Sequence, residues 1–196
     1  MNEERRARLR DYQNRCNIPP DCRDLLIEEV IPRNTMQEAY KEELDDLRRG
    51  KIRTLLVCGT EGTGKTLFAC SHLNSYLGRV INESVPEPLY ITQSEMNMQF
   101  RSAMHDNGTS ELQVFRRMTE VPLLVIDEIG RSKNSEYNME NLEAIISKRY
   151  AWKRPTILIS NETGKDIREI FDRHILDRLA TGGTLEMHDA SQRSRA

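Results

Sequence analysis

The sequence predicts an α/β fold, a doubly wound parallel sheet of five strands with helices on both faces. Three observations carry the prediction. Short apolar runs alternate with helical patterns along the chain, which is the signature of parallel strands joined by crossover helices. One run, Leu123-Leu124-Val125-Ile126, is continuous rather than alternating and closes on Asp127-Glu128, as a strand buried on both faces does. Gly59-Thr60-Glu61-Gly62-Thr63-Gly64-Lys65-Thr66 stands between a β-prone run, Arg53 to Cys58, and a helix-prone run, Leu67 to Leu73.

That last stretch has the spacing of a phosphate loop: Gly, four residues, Gly, Lys, then Ser or Thr. Glycines let the backbone curl so that successive N–H groups face phosphate oxygens, and the following helix presents its positive end. Lys65 then reaches the β- and γ-phosphates, and the Thr66 hydroxyl takes a position on Mg²⁺. The loop reads as a nucleotide site, with Gly59 to Thr66 as the cradle.

The 196 residues suffice for one packed domain. The formal charge is −2, so no global basic field draws the chain to nucleic acid, and any such contact is local. Cys16, Cys22, Cys58 and Cys70 lack C-x-x-C spacing and read as reduced thiols. No leader and no run of 18 apolar residues is present, so the expectation is a cytoplasmic protein that does not enter a membrane.

In chain order, residues 1–17 read as a polar, solvated stub rich in arginine, bounded by Ile18-Pro19-Pro20, where proline stops a helix. Residues 18–196 read as the single domain that carries this loop. Met36, Ala39, Tyr40, Leu44 and Leu47 give an amphipathic helix from Thr35 to Arg49 ending at Gly50. After the phosphate-loop helix, Leu89 to Thr92 is the second strand, and Ser94 is positioned to cap a helix whose Met96, Met98, Phe100 and Met104 read as packing residues rather than a ligand set. Asp106-Asn107-Gly108 breaks it, and Glu111 to Met118 is a further helix. The strand ending in Asp127-Glu128 follows, then a helix from Asn138 to Tyr150 and a strand from Thr156 to Ser160. The apolar face Ile167, Ile170, Phe171, Ile175, Leu176 and Leu179 predicts one long helix from Lys165 to Ala180, and Thr184 to Met187 a fifth strand.

A phosphate loop says only that a nucleotide is gripped. Asp127 at a strand end can hold the Mg²⁺ shell, and Glu128 beside it can orient or deprotonate a water aimed at the γ-phosphate. That pair favours hydrolysis over phosphoryl transfer to a metabolite, and argues against a small-molecule kinase. Asn161 ends the next strand, where its amide can contact the γ-phosphate or the same water. Charge developing on the phosphoryl group calls for a cation, which a neighbouring subunit can supply as an arginine finger. Arg173 and Arg178 are the candidates; Arg173 can pair with Asp177 four residues on, so Arg178 is preferred. The scattered histidines predict no metal beyond Mg²⁺.

With these residues in hand the chain resembles the AAA+ ATPases of the DnaC/IstB-like group, nearest to the DnaC-type replicative helicase loaders. The likeness runs from Ile18 to Arg195. It is carried by Ile18-Pro19-Pro20 with Arg23-Asp24, the GTEGTGKT loop, LLVIDEIG at Leu123 to Gly130, Lys153-Arg154-Pro155-Thr156, Ser160-Asn161, Leu176-Asp177-Arg178-Leu179 and Arg193-Ser194-Arg195. The resemblance implies Lys65 and Thr66 as Walker A, Asp127 and Glu128 as Walker B, Asn161 as sensor 1, Arg178 as arginine finger and Arg193 as sensor 2. It also implies initiator-specific helices over Ser94 to Met118, with single-stranded DNA contacts on Arg101, Arg116 or Arg117 that follow the backbone rather than read bases. It implies that residues 18–196 are an AAA+ ATPase domain using ATP and Mg²⁺, and the activity implied is ATP hydrolysis by a homo-oligomer acting on single-stranded DNA and a replicative helicase. An IstB-like transposition helper and a non-catalytic antagonist of a helicase or loader are the competing readings. Loaders of this type carry a helicase-docking domain before the ATPase core, whereas only residues 1–17 precede Ile18 here.

Overall fold

The computed structural model describes residues 3–81, 83, 86–105, 108–130 and 135–188. Five parallel strands, β1 (Thr54–Gly59), β2 (Leu89–Thr92), β3 (Leu124–Ile129), β4 (Thr156–Ser160) and β5 (Gly183–Met187), form one sheet in the order β2-β3-β4-β1-β5. Their continuous apolar runs follow from burial on both faces. Leu55, Val57, Val125, Ile157 and Ile159 enter one core layer, and Leu56, Cys58, Leu124, Ile126 and Leu158 the other. The first layer is closed by α1 (Glu3–Arg15), α2 (Thr35–Arg48) and α3 (Lys65–Val80). The second is closed by α4 (Gln93–His105), α5 (Glu111–Glu120), α6 (Glu136–Ala151), α7 (Gly164–Ile170) and α8 (Arg173–Ala180). The αβα layering read from the sequence is thus the architecture.

Four details depart from the sequence reading. On α4, Met96 and Phe100 are buried as packing residues, but Met98, on the opposite face, and Met104, in the last turn, are exposed. The segment before Ile18 is not a solvated stub. Leu9, Gln13 and Cys16 lie on one face of α1 and its exit and are buried, Gln13 Nε2 donates to the Arg23 carbonyl and to Asn74 Oδ1 of α3 at 2.9 Å each, and Cys16 joins the core. So few inward positions disappear among the charges of the outer face, and the packing runs through residue 17 without a break. The same segment covers the β2 edge: Tyr90 N donates to the Cys16 carbonyl (2.9 Å) and Asn17 Nδ2 to the Tyr90 carbonyl (3.3 Å), leaving less free edge for unwanted pairing.

Thr92, not Ser94, caps α4. Its Oγ1 accepts from Glu95 N (3.2 Å), while Glu95 Oε2 accepts from Thr92 N (2.9 Å), the reciprocal pairing of a capping box. The single long helix expected from Lys165 to Ala180 is two. Phe171 turns to extended backbone (ψ 143°) and buries its ring, and Asp172 starts α8 by accepting from the N–H groups of Ile175 and Leu176. The apolar face is continuous across the break, and neither Gly nor Pro marks it.

His72, on α3, is buried, and burial pushes its pKa down to about 4, with Arg79 and Arg48 acting in the same direction and Glu28 and Asp45 against it. The folded value lies below the ordinary 6.5 of an exposed imidazole. The stability it contributes is therefore complete above pH 6.5 and lost as pH falls toward 4, by about 3 kcal/mol. His72→Gln should flatten that limb of a stability-against-pH curve from chemical denaturation. Parallel curves for the two proteins between pH 6.5 and 4 would contradict this.

Candidate nucleotide site

The site forms at the carboxyl ends of β1, β3 and β4. Because β4 lies between β1 and β3, whatever follows it falls between the loop after β1 and the acids of β3. This is where ligands bind in open α/β sheets.

The loop from Gly59 to Gly64 needs its glycines. Gly59 (φ 111°), Gly62 (76°) and Gly64 (97°) have left-handed backbone, and a Cβ at Gly59 would overlap the Met187 carbonyl. Gly59 N donates to the Glu162 carbonyl and Thr60 N to that of Met187, both at 2.9 Å, so neighbouring strand ends hold the loop's entry. The start of α2 braces its exit. Asn34 caps α2 by accepting from Gln37 N, and Gln37 Nε2 donates to the Thr63 carbonyl at 2.9 Å. Tyr40 donates through its hydroxyl to the Lys65 carbonyl (3.1 Å) and stacks on Phe68 with centroids 5.3 Å apart. Thr63 Oγ1 bonds the Thr60 carbonyl at 3.0 Å, and Glu61 is exposed at the rim.

Lys65 opens α3 and is buried. Its ammonium donates to the carbonyls of Gly59 (2.8 Å) and Thr60 (2.7 Å), and burial lowers its pKa against the pull of Asp127. Thr66 Oγ1 donates to Asp127 Oδ2 at 2.7 Å. Tyr90, from β2, donates its hydroxyl to the same oxygen at 2.8 Å, and Glu128 N donates to Oδ1 at 2.6 Å. Three donors thus fix one carboxylate beside the loop. Burial, then the charge of Asp127, raises the Tyr90 phenol well above its usual range, which keeps it a donor at any working pH. One carboxylate and one hydroxyl in contact are a hard-oxygen set that suits Mg²⁺, an ion usually held by one or two carboxylates together with substrate phosphates.

Glu128 has φ 57°, unusual for a residue with a side chain, at the point where the register of β3 on β4 shifts between Ile126 and Ile129. This irregularity turns the acid out of the strand's alternation. It is braced on both sides: Ser160 Oγ donates to the Ile129 carbonyl (2.6 Å) and Gly130 N to Gln93 Oε1 (2.9 Å). Asn161 is exposed, with Nδ2 3.4 Å from Glu61 Oε1, so it spans from the end of β4 to the loop.

The structure therefore gathers Gly59 to Thr66, Asp127, Glu128 and Asn161. Others stand apart. Arg178, on α8, bonds Ser147 Oγ and approaches the Tyr150 ring (5.8 Å), both on α6. Arg101, Arg116 and Arg117 are exposed on α4 and α5. Arg117 lines a cleft of about 420 Å³ with Asn17, Met98, Gln99 and Ser102. Arg193 lies outside the described residues. Sequence reasoning missed Tyr90, Gln37 and Gln93, which reach the site only through strand neighbours and a helix start distant in sequence. Gln37, a polar residue inside an apolar stripe, is the one with a local signal.

A phosphate loop after β1, a carboxylate on β3, and a strand inserted between them define the P-loop nucleotide-binding fold of the AAA+ type. The chain belongs to the IstB-like ATP binding protein family, whose model matches residues 46–195. It is 32% identical over 146 residues to the replicative helicase loader DnaC of Escherichia coli K12, a match covering 74% of this chain and 56% of that protein. It is 25% identical over 198 residues to the uncharacterized protein YdaV of the same organism, covering 92% and 79%. The chain thus spans little more than half the length of the loader it matches. Among solved structures, the DnaC helicase loader superposes with a TM-score of 0.70 at 16% identity, over 86% of this chain and 99% of that one. The replication initiator DnaA bound to AMPPCP and single-stranded DNA gives 0.71 at 16% identity, over 88% and 51%. At these identities the structural likeness is one of fold. Among the described residues, no helix is long and apolar enough to cross a membrane.

Proposed function

We propose that the chain binds ATP with Mg²⁺ and hydrolyses it as an oligomer that works on single-stranded DNA and a replicative helicase, in the manner of a helicase loader. The observation that carries the ATPase part is the shared Asp127 oxygen, bonded by Thr66 and Tyr90 beside the loop, with Glu128 turned out of β3 next to it. In this reading the loop amides and Lys65 grip the phosphates, and Thr66 and Asp127 hold Mg²⁺. Glu128 polarises the attacking water, and Asn161 reports the γ-phosphate to β4. Arg178, whose partners are on α6, serves a neighbouring copy. Arg193 contacts the nucleotide from the C-terminal segment, and Arg101, Arg116 and Arg117 contact DNA phosphates.

The loader reading draws on the 32% identity to DnaC. The family description favours a second reading, an IstB-like transposition helper acting on duplex DNA. Co-purification with a replicative helicase and preference for single-stranded over duplex DNA separate the two. A third reading, an antagonist that binds without turnover, fails if Lys65→Ala abolishes the biological effect. For the finger, Arg178→Ala and Lys65→Ala proteins, each inactive alone, should regain ATPase activity when mixed, because shared interfaces pair an intact loop with an intact arginine. No recovery at any mixing ratio would dismiss a finger acting across subunits.

A further inference from the structure

The Lys153-Arg154-Pro155-Thr156 motif has no part in the nucleotide site, because it precedes β4 and so lies at the opposite end of the sheet. Here α6 ends, and Trp152, the only tryptophan of the chain, is left 50% exposed. Lys148 Nζ lies 3.9 Å from its ring centroid, and the Arg154 guanidinium carbon 5.6 Å. The turn that follows is a Schellman motif: Lys153 N donates to the Tyr150 carbonyl and Arg154 N to that of Arg149. Its left-handed position, where glycine fits without strain, is filled by Lys153 at φ 53°. The field of a helix C-terminus accounts for cations in its last turn. It does not account for a half-exposed indole between them, nor for lysine in a glycine slot. The basic surface continues onto α5, since Arg154 bonds the Glu120 carbonyl and Arg116 is exposed one turn before Glu120.

We infer that this end of the sheet is a stacking platform for single-stranded DNA, with a base on the Trp152 ring and flanking phosphates on Lys148, Lys153 and Arg154. The inference rests on the reading above that the chain works on single-stranded DNA, and places one of its contacts. An aromatic face among cations suits a strand whose bases are unpaired, because every base offers a π-face and every linkage a charge. An acidic polypeptide would use the cations and ignore the ring. The long Lys148 side chain can move off the indole to admit a base.

The test uses the full chain with ATP and Mg²⁺, and a fluorescein-labelled oligothymidylate read by anisotropy while Trp152 emission is followed. Binding should quench the tryptophan. Trp152→Ala should weaken affinity about tenfold, within the range of one lost stacking contact. Lys153→Gly should raise the melting temperature by roughly 2–4 °C while lowering affinity and reducing the salt slope by about one. A purely structural lysine would give the first change without the second. Anisotropic binding with unchanged tryptophan emission and unaltered Trp152→Ala affinity would overturn the platform and leave the single-stranded DNA reading standing. No binding of the oligomer would remove both. Equal displacement of the oligomer by polyglutamate would mark a charge patch without stacking. An emission shift with protein concentration alone would mark a contact between copies. Either of these last two outcomes also overturns the platform.

Discussion

Glu128→Gln should bind ATP as the parent does and hydrolyse it roughly 10²–10⁴-fold more slowly, the loss that follows removal of a positioned base. The two effects separate because different atoms serve them. In the proposed reading the phosphates are held by the backbone of Gly59 to Gly64 and the Lys65 ammonium, whereas Glu128 stands on β3, turned out of its alternation at a φ of 57°. Glutamine keeps the size and backbone strain of the residue and removes only the charge. Glu128→Gly is the stricter control. It should relieve the left-handed strain, stabilising the fold by about 1 kcal/mol, and still abolish turnover. Fluorescent-nucleotide binding and steady-state phosphate release measure the two halves. Undiminished turnover in either variant would remove Glu128 from catalysis.

Arg149→Met should cost about 2–5 kcal/mol of stability, at roughly 1–3 kcal/mol for each buried carbonyl that loses its donor, lowering the melting temperature by roughly 5–15 °C. Arg149 is fully buried, and among the described residues it has no carboxylate partner. Its Nε donates to Thr156 Oγ1 (2.8 Å), one terminal nitrogen to the carbonyls of Met118 and Val121 (2.9 Å each), and the other to the Pro155 carbonyl (2.6 Å). Burial, with Arg154 nearby, pushes its pKa down to about 9. The guanidinium thus ties the end of α5 to the approaches of β3 and β4. Methionine would fill the space while removing the donor to the Met118 and Val121 carbonyls; Pro155 would keep its bond from Leu124 N (3.2 Å). Thermal and urea unfolding measure the loss. A stability within 1 kcal/mol of the parent would mean that water or a shift of α5 replaces the network.

Much was legible in the sequence because it depends on local chemistry. The strand cores from Leu124 to Ile126 and from Thr156 to Ser160, the loop glycines, and the acids closing β3 follow from side-chain type and spacing alone. The αβα layering follows from those strands being apolar on both faces. The roles read for Glu128, Asn161 and Arg178 also came from their place after strands or on the last helix. Their tests lie in kinetics and mixing rather than in geometry.

What the sequence by itself determined, then, was the phosphate-loop strand and turn, the acidic end of β3 and the parallel sheet they share, because backbone freedom at glycine and burial of apolar runs act within a few residues. Only the tertiary structure decided the rest. Tyr90 meets Asp127 because β2 and β3 are neighbours, and Gln37 braces Thr63 because α2 starts beside the loop. The first helix is a packed layer because Leu9, Gln13 and Cys16 find α3 and the sheet. Arg149, in sequence one more cation at a helix end, becomes a buried staple because its fork meets carbonyls at the end of α5 and before β4, two segments that folding brings together.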